Sequence, residues 1–163
     1  LSKVAAEVVS DLEVEIEKAG ALVEIGKLPT IQADLLQMRQ LLQNLIGNAL
    51  KFRRDNEPPV VKVQARFVRG REHRTAGESP TEEQCRITVE DNGIGFEEKY
   101  AEQIFGIFQR LHTREAYQGT GIGLAICRKI AERHGGTVVA HSTPDHGSTF
   151  EVLLPVVHRK AKS

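Results

Sequence analysis

Two glycine-rich segments are the first places where this chain could hold a phosphate group. Their sequences are DNGIGF at 91–96 and GTGIGLAI at 119–126. Glycine has no Cβ and tolerates positive φ, so alternate glycines let backbone N–H groups come close to a ligand. Where such a run opens a helix, the exposed N–H groups and the positive end of the helix dipole bind anions. The pair, with a polar loop between them, predicts a phosphate site with a lid.

Two asparagines and a lysine share one face of a predicted helix and offer chemistry for a metal ion. Asn44 and Asn48 are four residues apart, and Lys51 continues the same face. A carboxamide oxygen suits Mg²⁺, which takes few protein ligands and fills its other positions with substrate phosphates. Alternatively, an isolated pair of asparagines can simply be part of the solvent-exposed face of a helix.

Asp91 is the third candidate, because its position in a predicted strand directs it inward. It shares strand parity with Ile87 and Val89, so its carboxylate is expected on the buried face. A buried carboxylate needs hydrogen-bond donors, and the exocyclic amine of adenine would supply one. The alternative is a plain turn, since Asp-Asn-Gly favours hairpins. Residues 94–100 do not alternate as a returning strand would, which disfavours that alternative.

Hydrophobic periodicity predicts the elements that must position these residues. Predicted helices cover residues 2–19, ended by Gly20, 35–53, begun by a capping box at Asp34 and Gln37, 97–105 and 122–134. Predicted strands cover residues 21–25, 28–31, 61–67 and 86–90, followed by a hairpin of 137–142 with 148–154, and loops cover 69–83 and 106–120. This irregular alternation favours a helical layer on one face of a mixed sheet.

Composition narrows the class of protein. The 163 residues suit one domain, and 22 basic against 22 acidic residues argue against a nucleic-acid partner. Cys85 and Cys127 form no CxxC pair, which fits a reducing compartment and no cysteine metal site. No apolar run approaches the roughly 20 residues that cross a bilayer, so we expect no direct membrane contact by this segment. Because the chain begins at Leu1 within a helical pattern, we expect it to be part of a longer protein.

Four motifs occur in the order of the N, G1, F and G2 boxes of sensor histidine kinases. They are NLIGNALKF at 44–52, DNGIG at 91–95, IFGIF at 104–108 and GTGIGL at 119–124. The chain resembles this family over residues 28–155, and residues 108–119 resemble the phytochrome-type kinases. The resemblance implies the Bergerat ATP-binding fold, an α/β two-layer sandwich of a mixed five-stranded sheet with about three helices on one face. It implies an ATP-binding catalytic domain over 20–157, with a basic tail at 158–163. Residues 1–19 are either the end of a linker or the first helix of the domain.

The resemblance also implies ATP and Mg²⁺ as ligands and gives each motif a role. Asn48 would hold Mg²⁺, and Asp91 would bind the adenine amine with help from Gly95 and Thr149. Phe105 and Phe108 would anchor the lid. The full expected ATP-binding set is Asn44, Asn48, Lys51, Phe52, Asp91, Gly93, Gly95, Phe105, Phe108, Gly119, Gly121, Gly123, Leu124 and Thr149. The IFGIF segment departs from the family, which more often has Glu-Pro between the two phenylalanines.

The implied activity is transfer of the γ-phosphoryl group of ATP to a histidine in two-component signalling. None of the six histidines has the sequence context of an acceptor, so we expect no catalytic residue in this segment and no autophosphorylation by it alone. The expected partners are the phosphoacceptor and dimerisation helices of the parent protein and a response regulator, and the segment itself is expected to be monomeric and cytoplasmic. Related ATPases place a glutamate at the position of Asn44 to activate water, and an amide cannot act as that base. A Bergerat-fold ATPase and a degenerate scaffold remain the alternatives.

Overall fold

The computed structural model describes residues 1–52, 54, 57–69, 83–97, 99, 101, 103–105 and 123–156. Along the chain the elements are α1 (Ser2–Asp11), α2 (Glu13–Ala19), β1 (Leu22–Ile25), α3 (Leu35–Lys51), β2 (Val60–Arg69), β3 (Glu83–Asp91), a 3₁₀ turn (Gln103–Phe105), α4 (Gly123–Arg133), β4 (Thr137–Thr143) and β5 (Gly147–Pro155). Within these ranges no helix combines the length and apolar character needed to cross a membrane.

The five strands form one mixed sheet in the order β1-β2-β3-β5-β4. β1 runs parallel to β2, and the other neighbours are antiparallel. Alternate side chains of the central strands are buried beneath the helices, among them Val61, Val63, Ile87 and Val89. The predicted mixed five-stranded sheet with helices on one face is therefore confirmed.

α3 is the central helix of the helical layer. Its inward face includes four side chains that are almost completely buried, Leu41, Leu42, Leu45 and Ile46. The predicted helix start is confirmed, because the Asp34 carboxylate caps it by accepting the Gln37 N–H at 2.9 Å. The predicted end at residue 53 falls slightly earlier, at Lys51.

His134 fastens the C-terminal end of α4 to the start of α3. This side chain is buried, its Nε2 accepts the Asp34 N–H at 3.1 Å, and its Nδ1 lies 2.8 Å from the Ile130 carbonyl. The carbonyl can only accept, so the ring carries its proton on Nδ1. These contacts give the His134 side chain a structural role.

The predicted single helix over 2–19 is wrong in one respect, since it is broken at Leu12 into α1 and α2. Leu12 at the break is buried with Val4 and Val8, whereas no side chain of α2 is fully buried and Ile16 packs against the core in part. Arg39 of α3 also pairs with Glu7 and Asp11 of α1. These ion pairs hold α1 against α3.

Two further predictions are corrected. Residues 28–31 form no strand, because Pro29 lacks the N–H that a ladder requires. The described residues of 97–105 form no α-helix; Lys99 and Gln103–Phe105 are 3₁₀-helical, and Ile104 and Phe105 are buried. The predicted loops over 69–83 and 106–120 lie almost entirely outside the described residues.

Replacing Leu45 with alanine should destabilise the fold, because Leu45 is completely buried in the core. We expect a loss of about 2–5 kcal/mol in the free energy of unfolding from the lost contacts and the cavity. Urea denaturation measures this loss. The matched control is Leu36→Ala on the same helix, where the side chain is 76% exposed and a change within about 0.5 kcal/mol is expected. Equal losses in the two variants would contradict the burial of α3 described above.

Candidate functional site

The site begins with the Asp91 carboxylate at the end of β3. One oxygen, Oδ1, accepts the Gly93 N–H at 2.8 Å and the Ser148 N–H at 3.3 Å. Among the described residues no side chain or backbone donor reaches the other oxygen, Oδ2. The carboxylate is thus held through one oxygen and leaves the other as an acceptor.

Burial is the main influence on the charge of this group. It raises the pKa of the Asp91 carboxyl from 3.8 to about 6, with a smaller contribution from the neighbouring charge of Glu90. The two backbone N–H bonds oppose part of that rise. The ionised form at neutral pH therefore lacks some of the stabilisation that a donor on Oδ2 would provide.

Asp91 is the first member of a row of three polar side chains on the core face of the sheet. It lies opposite Ser148 in the β3–β5 ladder, and Ser148 lies opposite Ser142 in the β5–β4 ladder. Both serine residues are buried. The two serine residues of this row therefore lie next to the carboxylate on the core face of the sheet.

Thr149, the predicted helper of Asp91, lies on the opposite face of β5. It pairs with Glu90 and His141, which are both exposed. A step of one residue along a strand moves the side chain to the other face. Ser148, rather than Thr149, is therefore the side chain beside Asp91 on the core face of the sheet.

The loop after β3 approaches other backbone so closely that side chains do not fit. A Cβ on Gly93 would lie 2.3 Å from the Phe52 carbonyl oxygen, and one on Gly95 would lie 2.2 Å from the Thr143 carbonyl oxygen. Gly95 also has a φ of 65°, in the left-handed region. The Ile94 N–H donates to the Phe52 carbonyl at 3.0 Å, which places this loop against the C-terminal end of α3.

Arg54 fastens the same loop to the turn between β4 and β5. Its Nε donates to the Asn92 carbonyl at 2.9 Å and its Nη1 to the Asp145 carbonyl at 3.0 Å, while Nη2 pairs with Glu57 at 2.6 Å. The Asp145 N–H donates in turn to the Ile94 carbonyl at 2.7 Å. The guanidinium therefore bridges two segments that are far apart in the sequence.

The asparagine face of α3 adjoins the start of α4. The Asn44 Oδ1 lies 3.7 Å from where a Cβ on Gly123 would be, and its buried amide group hydrogen-bonds the Cys127 thiol. Burial raises the pKa of the nearby Cys127 thiol to about 12, and the Asn44 amide opposes part of that rise. The Asn48 side chain is half-buried, and Lys51 is exposed at the last turn of α3.

These amides suit a phosphate-bound magnesium ion. An amide N–H group that borders a pocket is a donor that a phosphate oxygen can accept. A half-buried amide oxygen on the same helix face is the hard, neutral ligand that Mg²⁺ accepts. Gly123, the first residue of α4, adds the positive end of a helix beside them.

Phe105 packs into the domain beside the predicted lid. Its ring meets Phe150 edge to face with centroids 6.3 Å apart, and the Arg128 guanidinium carbon lies 4.9 Å from its centroid. Leu124 is partly buried and packs against the core. The remaining predicted lid and phosphate residues, Phe108, Gly119 and Gly121, lie outside the described residues.

Three further residues belong to this site although the motifs do not indicate them, namely Ser142, Ser148 and Arg54. Ser148 could have been found from strand parity, because Phe150, Val152 and Leu154 are the buried side of β5. Ser142 has the same parity as the buried Val138 and Ala140. No local pattern marks Arg54, since its partners are distant in the chain.

Replacing Gly95 with alanine should destabilise the domain by more than about 2 kcal/mol, because the new Cβ would meet the Thr143 carbonyl and the backbone has positive φ. Thermal unfolding measures this loss. The matched control is Gly47→Ala within α3, where nothing lies within 4 Å of the added Cβ. That variant should be neutral or more stable by up to about 1 kcal/mol. A Gly95→Ala protein as stable as the control would refute the close packing of this loop.

Replacing Asp91 with asparagine should stabilise the ligand-free protein at neutral pH. The folded pKa is raised, so the contribution of Asp91 to stability is complete below pH 3.8 and is lost as the pH rises through about 6. Asparagine does not ionise, so we expect its advantage to grow from near zero at pH 4 to about 1–3 kcal/mol at pH 7.5. Urea denaturation between these pH values checks this, with Glu24→Gln, which removes an exposed carboxylate from β1, as the control. An advantage for asparagine that is constant across this pH range would contradict the assignment.

Several solved structures that resemble this chain are of histidine kinases. The mycobacterial sensor histidine kinase MprB superposes with a TM-score of 0.73 at 18% identity, covering 97% of this chain and 95% of that one. The catalytic domain of the histidine kinase ThkA gives 0.70 at 25% identity, covering 96% and 95%. Full-length ShkA, solved in complex with AMPPNP, gives 0.72 at 26% identity and covers 98% of this chain and 30% of that one.

The sequence relatives include a phytochrome-like protein and a sensory kinase. Phytochrome-like protein Cph1 from Synechocystis sp. is 42% identical over 147 residues, which are 90% of this chain and 18% of the relative. The adaptive-response sensory kinase SasA from Prochlorococcus marinus is 35% identical over 167 residues, covering all of this chain and 40% of the relative. The chain thus spans less than half of the length of these relatives. Residues 33–158 match the family of histidine kinase-, DNA gyrase B- and HSP90-like ATPases, and the chain belongs to that family.

Proposed function

We propose that this chain is the catalytic, ATP-binding unit of a sensor histidine kinase and delivers the γ-phosphoryl group of ATP to a histidine elsewhere in its parent protein. The observation that carries the proposal is the position of α3 between the two glycine segments. Its C-terminal end receives the Ile94 N–H at the Phe52 carbonyl, and its Asn44 side chain adjoins Gly123. One rigid helix therefore borders both halves of a nucleotide pocket.

The adenine end of this pocket lies at Asp91. Its Oδ2 is an acceptor beside the close-packed glycine loop, and the 6-amine of adenine is a donor that fits it. Ser148, opposite Asp91, places a hydroxyl next to the same position. A donor on Oδ2 would also offset the unfavourable burial of the carboxylate.

The phosphate end of this pocket lies between the asparagines and the start of α4. Asn48 would hold Mg²⁺, which supplies charge neutralisation between the phosphates. Asn44 and Lys51 would donate hydrogen bonds to phosphate oxygens, and the helix end at Gly123 favours the same charge. The predicted contacts of Gly119, Gly121 and the Leu124 backbone with phosphate and of Phe108 with the lid belong to this proposal.

The chemistry at Asn44 favours phosphoryl transfer over hydrolysis. An amide cannot take a proton from water, so this helix face supplies no general base. Transfer to a histidine needs mainly alignment and charge neutralisation, because the acceptor brings its own nucleophilic nitrogen. We accordingly propose phosphoacceptor helices of the parent protein and a response regulator as partners, and the cytoplasm, where ATP is available, as the place of action.

Replacing Asn48 with alanine should weaken binding of a Mg²⁺ complex of a non-hydrolysable ATP analogue by roughly tenfold or more. The physical reason is the loss of the amide oxygen proposed to hold the cation, worth at least about 1.4 kcal/mol at this fold-change. Isothermal titration of the analogue with Mg²⁺ and with EDTA measures the effect, which should vanish without the cation. The matched control is Gln43→Ala, an exposed amide on the next position of α3.

Three outcomes would count against the proposal. Absence of nucleotide binding at millimolar concentration would refute the ATP site as a whole. Equal weakening of the Asn48→Ala protein with and without Mg²⁺ would remove Asn48 from the metal site. Steady ATP turnover by the chain alone would support the hydrolase alternative instead.

A further inference from the structure

Ser142 joins three segments behind the Asp91 pocket. Its side chain is buried, and its Oγ lies 2.9 Å from the Phe96 backbone nitrogen, 2.7 Å from the Gly147 carbonyl oxygen and 2.9 Å from the Ser148 Oγ. The first contact holds the glycine loop after β3, and the other two hold the start of β5. This hydroxyl is therefore part of the support of the pocket.

The partners of Ser142 fix the direction of each hydrogen bond. The Phe96 N–H can only donate, so the Ser142 Oγ accepts from it. The Gly147 carbonyl can only accept, so the single proton of Ser142 points toward that oxygen. The contact between the two serine residues then needs the proton of Ser148, which must donate to Ser142.

This order of protons decides what Ser148 can offer a ligand. With its proton held by Ser142, its oxygen has only lone pairs left for the space in front of Asp91. The Oδ2 of Asp91 is likewise an acceptor. Two neighbouring acceptors match the two N–H groups of an amine, directly or through water, and oppose a carbonyl oxygen at the same position.

Resting on the proposed function, we infer that Ser142 is a positioning residue for base selectivity: by holding the Ser148 proton, it makes the pocket prefer a 6-amino purine to a 6-oxo purine. Once released, the Ser148 hydroxyl could rotate and donate to a carbonyl. One hydrogen bond gained or lost in this way corresponds to roughly a three- to tenfold change in affinity.

The test compares the Mg²⁺ complexes of ATP and inosine triphosphate, which carry an amine and a carbonyl at the 6-position, by isothermal titration of the full 163-residue chain. We expect the wild-type protein to bind ATP more tightly. In Ser142→Ala the ratio of the dissociation constants, inosine triphosphate over ATP, should fall roughly three- to tenfold. Ser142→Cys leaves no cavity, because it keeps a side-chain atom at this position, but its larger sulfur is only a weak acceptor and should likewise lower the ratio.

A second comparison, in a protein that already lacks the Ser148 hydroxyl, distinguishes a role of Ser142 in orienting that hydroxyl from a role in supporting the pocket. In a Ser148→Ala protein the hydroxyl that Ser142 orients is gone, so adding Ser142→Ala should leave the ratio unchanged. A purely structural role would instead weaken both nucleotides by one factor and leave the ratio unchanged in every background. That result, or a wild-type protein without preference for ATP, would overturn the role of Ser142.

Failure of the proposed function and failure of the role of Ser142 give different results in these titrations. If the wild-type chain binds neither nucleotide at millimolar concentration, the proposed function fails and the selectivity role fails with it. If it binds ATP preferentially but neither Ser142 variant changes the ratio, only the role of Ser142 is refuted.

Discussion

A carboxylate at the buried end of a strand is the constraint on which this site depends. Strand alternation directs Asp91 toward the core, and its ionised form there requires backbone donors. The Gly93 N–H reaches Oδ1 at 2.8 Å only because the chain turns immediately after β3. That turn presses Gly93 and Gly95 against the carbonyls of Phe52 and Thr143. Close packing of backbone therefore explains these glycines even before a ligand is considered.

α3 links that constraint to the rest of the pocket. Its buried face, centred on Leu45, fixes the helix on the sheet, and its asparagine face is fixed by the same packing. Because Phe52 meets the loop after β3 and Asn44 meets Gly123, a shift of this helix would move both ends of the pocket together. The packing of α3 in the core therefore also determines the geometry of the proposed nucleotide site.

Much of this architecture follows from periodicity, because α3 and the β4–β5 hairpin each repeat one period over many residues. The helix break at Leu12 could not be predicted from the sequence, because the apolar spacing continues through it although the backbone turns. Motif position alone predicts Thr149 beside Asp91, whereas strand parity with the buried Phe150 places Ser148 there. The bridge made by Arg54 could not be predicted, because it depends on tertiary contacts between segments that share no local pattern.

The distribution of satisfied and unsatisfied polar groups indicates which side of the site faces a ligand. Ser142 uses its proton and lone pairs on the loop, the turn and Ser148, as a supporting residue should. Asp91 Oδ2 has no such partner among the described residues, although burial makes that costly. A protein that pays this cost in its ligand-free state gains affinity when a ligand supplies the missing partners, because the supporting bonds need no rearrangement. The unfavourable burial of the Asp91 carboxylate and the supporting hydrogen bonds of Ser142 are thus two parts of one preorganised site.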